Sequence, residues 1–360
     1  MVGGGGAMGT SVAYHLAELG LSDVVVVERE ALASGSTSRA AGGIRTQFSD
    51  ELNVRIGLRS LAEFETFADL TGVDIAFHQT GYLFLLDNAA DAHAFRRAIA
   101  LQRELGLPNI ELEPVEAAAL VPGLVTDDLV TATFSPRDGH ATPEAVVTGY
   151  AGVAARRGLR IYQGEEVIGI RVRAGDVVAV ETKQRTIATP NVVCAAGPCS
   201  RDVAAMVGLD LPVVGERRFL HYTAADGGLP ATLPLTIDFA TGFYFHREGP
   251  GLIFGAPHDD LAQAAASVGK RLPLLADLPV RTSWSGLYEM SPDHNALVGE
   301  ADAPSRFLYA SGFSGHGFQQ APAVGEYLAQ LLTGTPPTLD LSQLSLARLR
   351  AGRRAESMVV

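Results

Sequence analysis

The strongest constraint on the fold of this chain stands at its start. Val2 leads into Gly3-Gly4-Gly5-Gly6-Ala7-Met8-Gly9, in which Gly4, Gly6 and Gly9 satisfy G-x-G-x-x-G. The first glycine permits a tight turn, the second lets a pyrophosphate approach the backbone, and the third lets a helix pack closely on a strand. Val12, Leu16 and Leu19 then recur at helical spacing up to Gly20. Val24 to Val27 read as a buried parallel strand, closed by Glu28, which follows Gly9 by 19 residues. That spacing suits an acid that binds ribose hydroxyls and disfavours a 2′-phosphate. Free amides of Ala7 and Met8 at the helix start would face phosphates, aided by the helix dipole. Only Met1 to Gly3 precede the motif, against about 5–6 residues in an ordinary strand. We therefore expect the native start to lie upstream.

Composition narrows the partners. The 360 residues suggest two domains, and 47% hydrophobic against 19% charged residues is enough for a large core. A formal charge of −12 leaves no basic face for nucleic acid. The two cysteines, Cys194 and Cys199, cannot make a disulfide scaffold or a four-cysteine zinc site, and read as small packed residues. No His/Cys/Asp cluster has metal spacing along the chain, so no metal is expected. No apolar run reaches the length of a membrane span and no secretory signal is visible, so a cytoplasmic location is the default expectation.

Short β-branched runs alternate with helical patterns, as in an α/β protein. Residues 34–49 form a Gly/Ser-rich loop, residues 50–71, 89–106 and 141–158 read as helices, and residues 213–256 and 280–300 read mostly as strands. Phe307 to Ala310 form a last strand, followed by Ser311-Gly312-Phe313-Ser314-Gly315-His316-Gly317-Phe318 and a helix to about Leu332. The nucleotide-binding pieces are scattered. We expect a discontinuous Rossmann-like domain from residues 1–76, 139–212 and 296–340, interwoven with a mainly antiparallel α+β substrate domain from 77–138 and 213–295. Residues 341–360 read as a polar tail, with Arg348, Arg350, Arg353 and Arg354 solvated.

Six stretches together resemble one family. They are VGGGGAMG with Glu28, GSTSRAAGGIRTQF, DGHATPEAV from Asp138, VVCAAGPCS, WSGLYEMSPDHNALVG from Trp284, and SGFSGHGFQQAPAVG from Ser311. The chain resembles the FAD-dependent D-amino acid oxidase superfamily, in the branch of sarcosine oxidase and dimethylglycine dehydrogenase. The resemblance implies a glutathione-reductase-type nucleotide fold and an extended, non-covalent FAD. It places the adenosine by the first turn, Glu28 and Arg29, and Ser36 and Thr37 on the pyrophosphate side. Gly43, Ile44, Val167, Ala196 and Gly197 join these cofactor contacts. Gly312, Gly315, His316, Gly317, Phe318 and Gln319 would bring the last helix to the flavin pyrimidine edge, where amides stabilise negative charge.

The resemblance also implies chemistry: hydride transfer from a substrate carbon to flavin N5, with an arginine for the carboxylate. Arg45, in GGIRTQF, aligns with that arginine. Two departures stand out. Relatives carry a second carboxylate-binding lysine where this chain has Gln319. Oxidase relatives carry an oxygen-activating lysine where alignment puts Ile253, which points to a dehydrogenase with another, unknown acceptor. Tyr244 and His246 share one strand face and could line the substrate pocket or flank the core. His316 could tune the flavin, cap the helix or act as a base. Trp284 and Tyr288 read as packing. The leading expectation is an FAD-dependent oxidoreductase for the C–N bond of a secondary or N-methylated amino acid, such as sarcosine or dimethylglycine. A β-type subunit of a larger complex with partner subunits and a flavoprotein assembly factor are the alternatives.

Overall fold

The computed structural model describes residues 1–256, 261–352 and 355–359, without the side chains of 261–264. Arg353 and Arg354, expected in a solvated tail, lie outside the described residues. Valine-rich segments with no polar face have to be covered on both sides, and they form the centre of the first sheet. Its strand order is Leu297–Glu300, Phe307–Ser311, Val192–Cys194, Val2–Gly3, Val25–Val27 and Arg160–Tyr162. All neighbours are parallel except the first pair. Short as it is, Val2–Gly3 holds the middle of the sheet, with Val2 opposite both Val26 and Val193.

The helix Ala7–Glu18 packs against this sheet, against Pro143–Arg156 and against Gly317–Thr333. Two glycines set these distances. A Cβ on Gly9 would stand 1.9 Å from the Gly4 carbonyl oxygen, and one on Gly325 would stand 2.1 Å from Ser11 Oγ. Ser11 uses that hydroxyl to donate to the Ala321 carbonyl at 2.7 Å, tying the first helix to the last.

The second sheet is mainly antiparallel and eight-stranded. Its order is Val280–Met290, Val214–Thr223, Gly251–Ala256, Phe243–Glu248, Leu235–Asp238, Tyr82–Leu86, Thr131–Ser135 and Ile110–Leu112. Leu235–Asp238 and Tyr82–Leu86 are its parallel pair. A three-stranded antiparallel sheet spans residues 167–188, and Gly43–Ile44 pairs with Gly139–His140. The α/β nucleotide fold interwoven with an antiparallel sheet is the architecture read from the sequence. The loop 34–49 is more ordered than expected, holding the short 3-10 turn Thr37–Arg39 and the strand Gly43–Ile44.

Residues 341–359 correct the expectation of a solvated tail. Leu341 and Leu344 are buried in the core beneath the first helix. Arg348 is buried and grips Asp293 with Nε and Nη2, both at 2.8 Å. Glu356 is buried too, accepting from the Ser49 amide at 3.0 Å, the Ser49 hydroxyl at 2.6 Å and Asn53 Nδ2 at 3.0 Å. The polarity of Arg348 and Glu356 is taken up by buried pairs, while Arg350 is exposed as expected. No described helix is long and apolar enough to cross a membrane.

Asp138 ties the substrate-side strands to the glycine-rich loop. It accepts from the Thr46 amide at 3.0 Å and the Thr46 hydroxyl at 2.8 Å. Burial pushes its carboxyl up to about 6, although the Thr46 bonds oppose the shift. The folded chain therefore holds this proton more tightly than the unfolded one. The resulting stability is complete below about pH 4 and is lost as pH rises through about 6. Asp138→Asn removes that dependence. Between pH 4 and 7 the variant is expected to gain up to about 3 kcal/mol relative to the parent chain. Urea unfolding of both at the two pH values measures this, and an unchanged difference would contradict the raised pKa.

Candidate functional site

A cavity of about 580 Å³ opens between the two sheets. From the nucleotide-type fold it is lined by Gly4, Gly6, Ala7, Met8, Glu28, Arg29, Ser36, Thr37, Val167, Ala196, Gly197, Gly315, Gly317 and Phe318. These are fourteen of the sequence-derived cofactor residues, brought together from six separate stretches of chain. From the antiparallel sheet come Arg217, Arg218, Leu220, Tyr244 and the run Ser285 to Glu289.

The glycine turn is built to leave backbone exposed to a ligand. Gly4 has φ +122°, and a Cβ there would meet the Ala195 carbonyl oxygen at 2.1 Å. Thr37 Oγ1 accepts the Ala7 amide at 3.1 Å, and a Cβ on Gly6 would crowd that oxygen at 2.9 Å. Glu28 caps the turn from the next strand, accepting the Gly5 amide at 2.7 Å through Oε2 and the Glu30 amide at 2.9 Å through Oε1. Its remaining lone pairs can accept ribose hydroxyls. On the far wall, Gly315 has φ +95°, and a Cβ there would strike the Tyr288 ring at 2.6 Å. Two helices, Ala7–Glu18 and Gly317–Thr333, start at this cavity, so two sets of free amides face it. A dinucleotide with a pyrophosphate and a ring needing polarisation fits this arrangement.

The sheet-side wall is rich in neutral hydroxyls. Tyr244 and Tyr288 both line it, and burial raises both phenols above their ordinary range. Glu289 is pushed up to about 7 by burial, opposed by the Ser311 hydroxyl at 2.8 Å and the amides of Gly312 and Phe313.

Several expected residues lie elsewhere. Gly9 sits behind the turn, against Gly4. Gly43 and Ile44 belong to the small ribbon with Gly139–His140, and Gly312 packs on Ser291; none lines the cavity. Arg45 is buried, its guanidinium 4.3 Å from the centre of the Phe48 ring and 5.5 Å from that of Phe84. It donates through Nη1 to the Gln47 carbonyl and through Nη2 to the Met358 carbonyl at 2.6 Å. Gln319 accepts the Arg45 backbone amide at 3.0 Å, so it fixes this loop and does not face the cavity. His316 is buried edge-on to Phe48, and burial, followed by the Arg45 charge, lowers it to about 3. It is a neutral imidazole at physiological pH.

Tyr244 reaches the cavity, but His246, two residues on, does not. The strand carries it past the rim, where its ring stacks on His140 at 4.2 Å and burial lowers it to about 4. Ile253 lies opposite His246 in the next strand and is likewise off the wall, while Leu220, on the neighbouring strand, lines the cavity. The fold also gathers His140, His246 and Glu248 so that one ligand-type atom of each lies within 4.8 Å of the others. Spacing along the chain could not reveal this group. Arg218, Tyr288 and Glu289 were missed as well. The signal for them was a charged triplet, Glu216-Arg217-Arg218, inside an otherwise apolar strand pattern.

The model of the family described as FAD dependent oxidoreductase matches residues 2–331. Mitochondrial sarcosine dehydrogenase of Mus musculus is 28% identical over 374 residues, covering 96% of this chain and 40% of that protein. The chain thus spans about two fifths of the length of that curated relative. FAD-dependent oxidoreductase domain-containing protein 1 of Xenopus laevis is 30% identical over 407 residues, covering 96% of this chain and 81% of its own length. Among solved structures, L-proline dehydrogenase from P. horikoshii superposes with a TM-score of 0.91 at 31% identity, covering 98% of both chains. Glycine oxidase from Geobacillus kaustophilus, at 24% identity and a TM-score of 0.85 over 96% of this chain and 97% of its own, shares the fold.

Proposed function

The chain belongs to the DAO family of FAD-dependent oxidoreductases, and from that premise we propose that it oxidises the C–N bond of a secondary or N-methylated amino acid. The observation that carries this reading is the shared cavity. One wall offers glycine turns and helix starts, and the other, across from them, offers Tyr244, Tyr288 and Arg218. Relatives named for sarcosine, dimethylglycine and proline dehydrogenation support the substrate class.

When bound, FAD would supply the hydride acceptor for oxidation of the carbon beside the substrate nitrogen. The chain does the rest. Gly4, Gly6 and the free amide of Met8 would hold the pyrophosphate, and Glu28 would take the ribose. Amides at Gly317 and Phe318 favour negative charge on the ring edge they face. Tyr244 and Tyr288 shut water out and present hydroxyls to the substrate. No histidine lines the cavity among the described residues, so the amine has to lose its proton on binding and not to an imidazole base.

We read the flavin as non-covalent, since Cys194 is buried and burial raises its thiol to about 11, which keeps it unreactive. Acid precipitation should release all the yellow colour. The decisive test is an anaerobic panel of sarcosine, dimethylglycine, proline and glycine against the yellow protein. Bleaching by the first three at millimolar concentration is expected, with glycine at least ~10-fold slower, as a tertiary or secondary amine gains apolar contact. If no amine bleaches the flavin, the assembly-factor or partner-dependent reading takes its place.

A further inference from the structure

We infer that His140, His246 and Glu248 form a binding site for one divalent transition-metal ion of the zinc class, outside the cavity and apart from the redox chemistry. The inference does not depend on the oxidoreductase reading above. The three residues come from two elements that the fold presses together. His140 ends the ribbon strand Gly139–His140, while His246 and Glu248 stand two apart on Phe243–Glu248 and so share a face. One ligand-type atom of each lies within 4.8 Å of the others. A tetrahedral zinc with bonds of about 2.0–2.1 Å needs its ligand atoms about 3.4 Å apart. The site therefore needs a small closure, for which the exposed Glu248 side chain has room.

His246 is prepared as a ligand. Its Nδ1 lies 2.8 Å from the Arg247 carbonyl oxygen. A carbonyl only accepts, so Nδ1 carries the ring proton and Nε2 presents its lone pair. Nε2 is buried and has no hydrogen-bond partner. Such an orphaned acceptor is costly, and a metal ion would satisfy it. A ring whose other nitrogen donates to a carbonyl is also the usual arrangement behind a metal-bound histidine. Burial keeps the ring neutral at physiological pH, while the Arg247 and Ala41 backbone favours positive charge beside it. His140 is held in place by reciprocal backbone bonds with His78, at 2.9 and 3.2 Å, and its ring lies 4.2 Å from that of His246. Two neutral imidazoles and one carboxylate suit zinc, copper or nickel, whereas magnesium and calcium want oxygen ligands. Glu248 supplies one negative charge, and Glu144 is near enough to Glu248 to supply a second. The ion would fasten the far end of the Tyr244 strand to the ribbon formed by Gly43–Ile44 and Gly139–His140.

Zinc alone tests this. The FAD-loaded protein is stripped with EDTA, desalted, titrated with Zn²⁺ by calorimetry, and melted with and without the ion. The expected result is one equivalent bound with a Kd of ~1 µM or tighter, a Tm higher by about 2–5 °C, and no response to millimolar Mg²⁺. Glu248→Gln keeps the size and loses the charge. It should weaken zinc by at least ~10-fold and leave FAD content and the metal-free Tm unchanged. His246→Phe, which keeps a buried ring without a lone pair, should abolish stoichiometric binding. Where His246→Phe does not fold, the exposed Glu248→Gln decides alone. The inference is overturned if the parent protein takes up less than about half an equivalent at ~10 µM zinc, if Mg²⁺ raises Tm as zinc does, or if Glu248→Gln keeps the parent affinity, since zinc would then sit on other groups.

Discussion

Gly9→Ala is expected to yield a protein that purifies colourless, with FAD content reduced at least ~10-fold, and with a lower Tm. The added methyl carbon would stand 1.9 Å from the Gly4 carbonyl oxygen, 2.9 Å from its carbon and 3.5 Å from Val2 Cγ1. The two closest atoms are Gly4 backbone, so no side chain can swing aside to relieve them. The helix has to retreat by more than 1 Å, which costs about 1–3 kcal/mol or more by the usual measure of overpacking. The retreat acts on the very amides that meet the pyrophosphate. It also strains the first-to-last helix contact, because Ser11, on the same helix, donates to Ala321. Gly269→Ala is the control. It sits in the helix Leu261–Arg271 with nothing within 4 Å of the added carbon, and should be neutral or slightly stabilising. Absorbance at 450 nm per protein and a thermal melt read both variants. A Gly9→Ala protein with full FAD and an unchanged Tm would mean that the close helix–strand approach is not what holds the turn.

Why the nucleotide half was legible and the substrate half was not follows from how each is encoded. The turn, the helix and Glu28 lie within 28 residues, and their spacing is fixed by the pitch of one βαβ unit. Their geometry therefore survives in the sequence, and so does the Gly315–Gly317 turn against Tyr288. The substrate wall is instead assembled from strands that start at residues 214, 243 and 280. Strand alternation correctly put Tyr244 and His246 on one face. It cannot say where the face leaves the cavity, and the rim falls between them. The same limit hid Arg217 and Arg218, which both line the cavity although they are neighbours on one strand. Arg45 shows a different limit. Its motif is local, but what occupies its guanidinium comes from residue 358, more than 300 positions away. Composition read the last twenty residues as solvated because they are polar, yet burial depends on whether partners wait, and Asp293, Ser49 and Asn53 were waiting.

The reduced protein is expected to pass electrons to a dye such as phenazine methosulfate at least ~100-fold faster than to oxygen. Oxygen takes its first electron with a build-up of negative charge beside the ring, and a preorganised cation there is worth about 10²–10³ in rate. Among the described residues no lysine lines the cavity. Ile253, where the resemblance put the oxygen-activating lysine, is apolar and off the wall, and the side chain lining the cavity from the neighbouring strand is Leu220. Arg218 is paired with Glu216 at 3.0 Å, so its charge is already balanced. Stopped-flow mixing of the amine-reduced protein with air-saturated buffer, and separately with the dye, gives the ratio directly. The electrostatic cause is tested by Leu220→Lys, which should raise the oxygen rate by about 10-fold or more while leaving the dye rate within a factor of a few. Reoxidation by oxygen at the dye rate in the parent protein would remove the dehydrogenase assignment. An unresponsive Leu220→Lys would show that something other than missing charge keeps oxygen out, and steric exclusion by the Tyr244–Tyr288 wall would then be the property to alter.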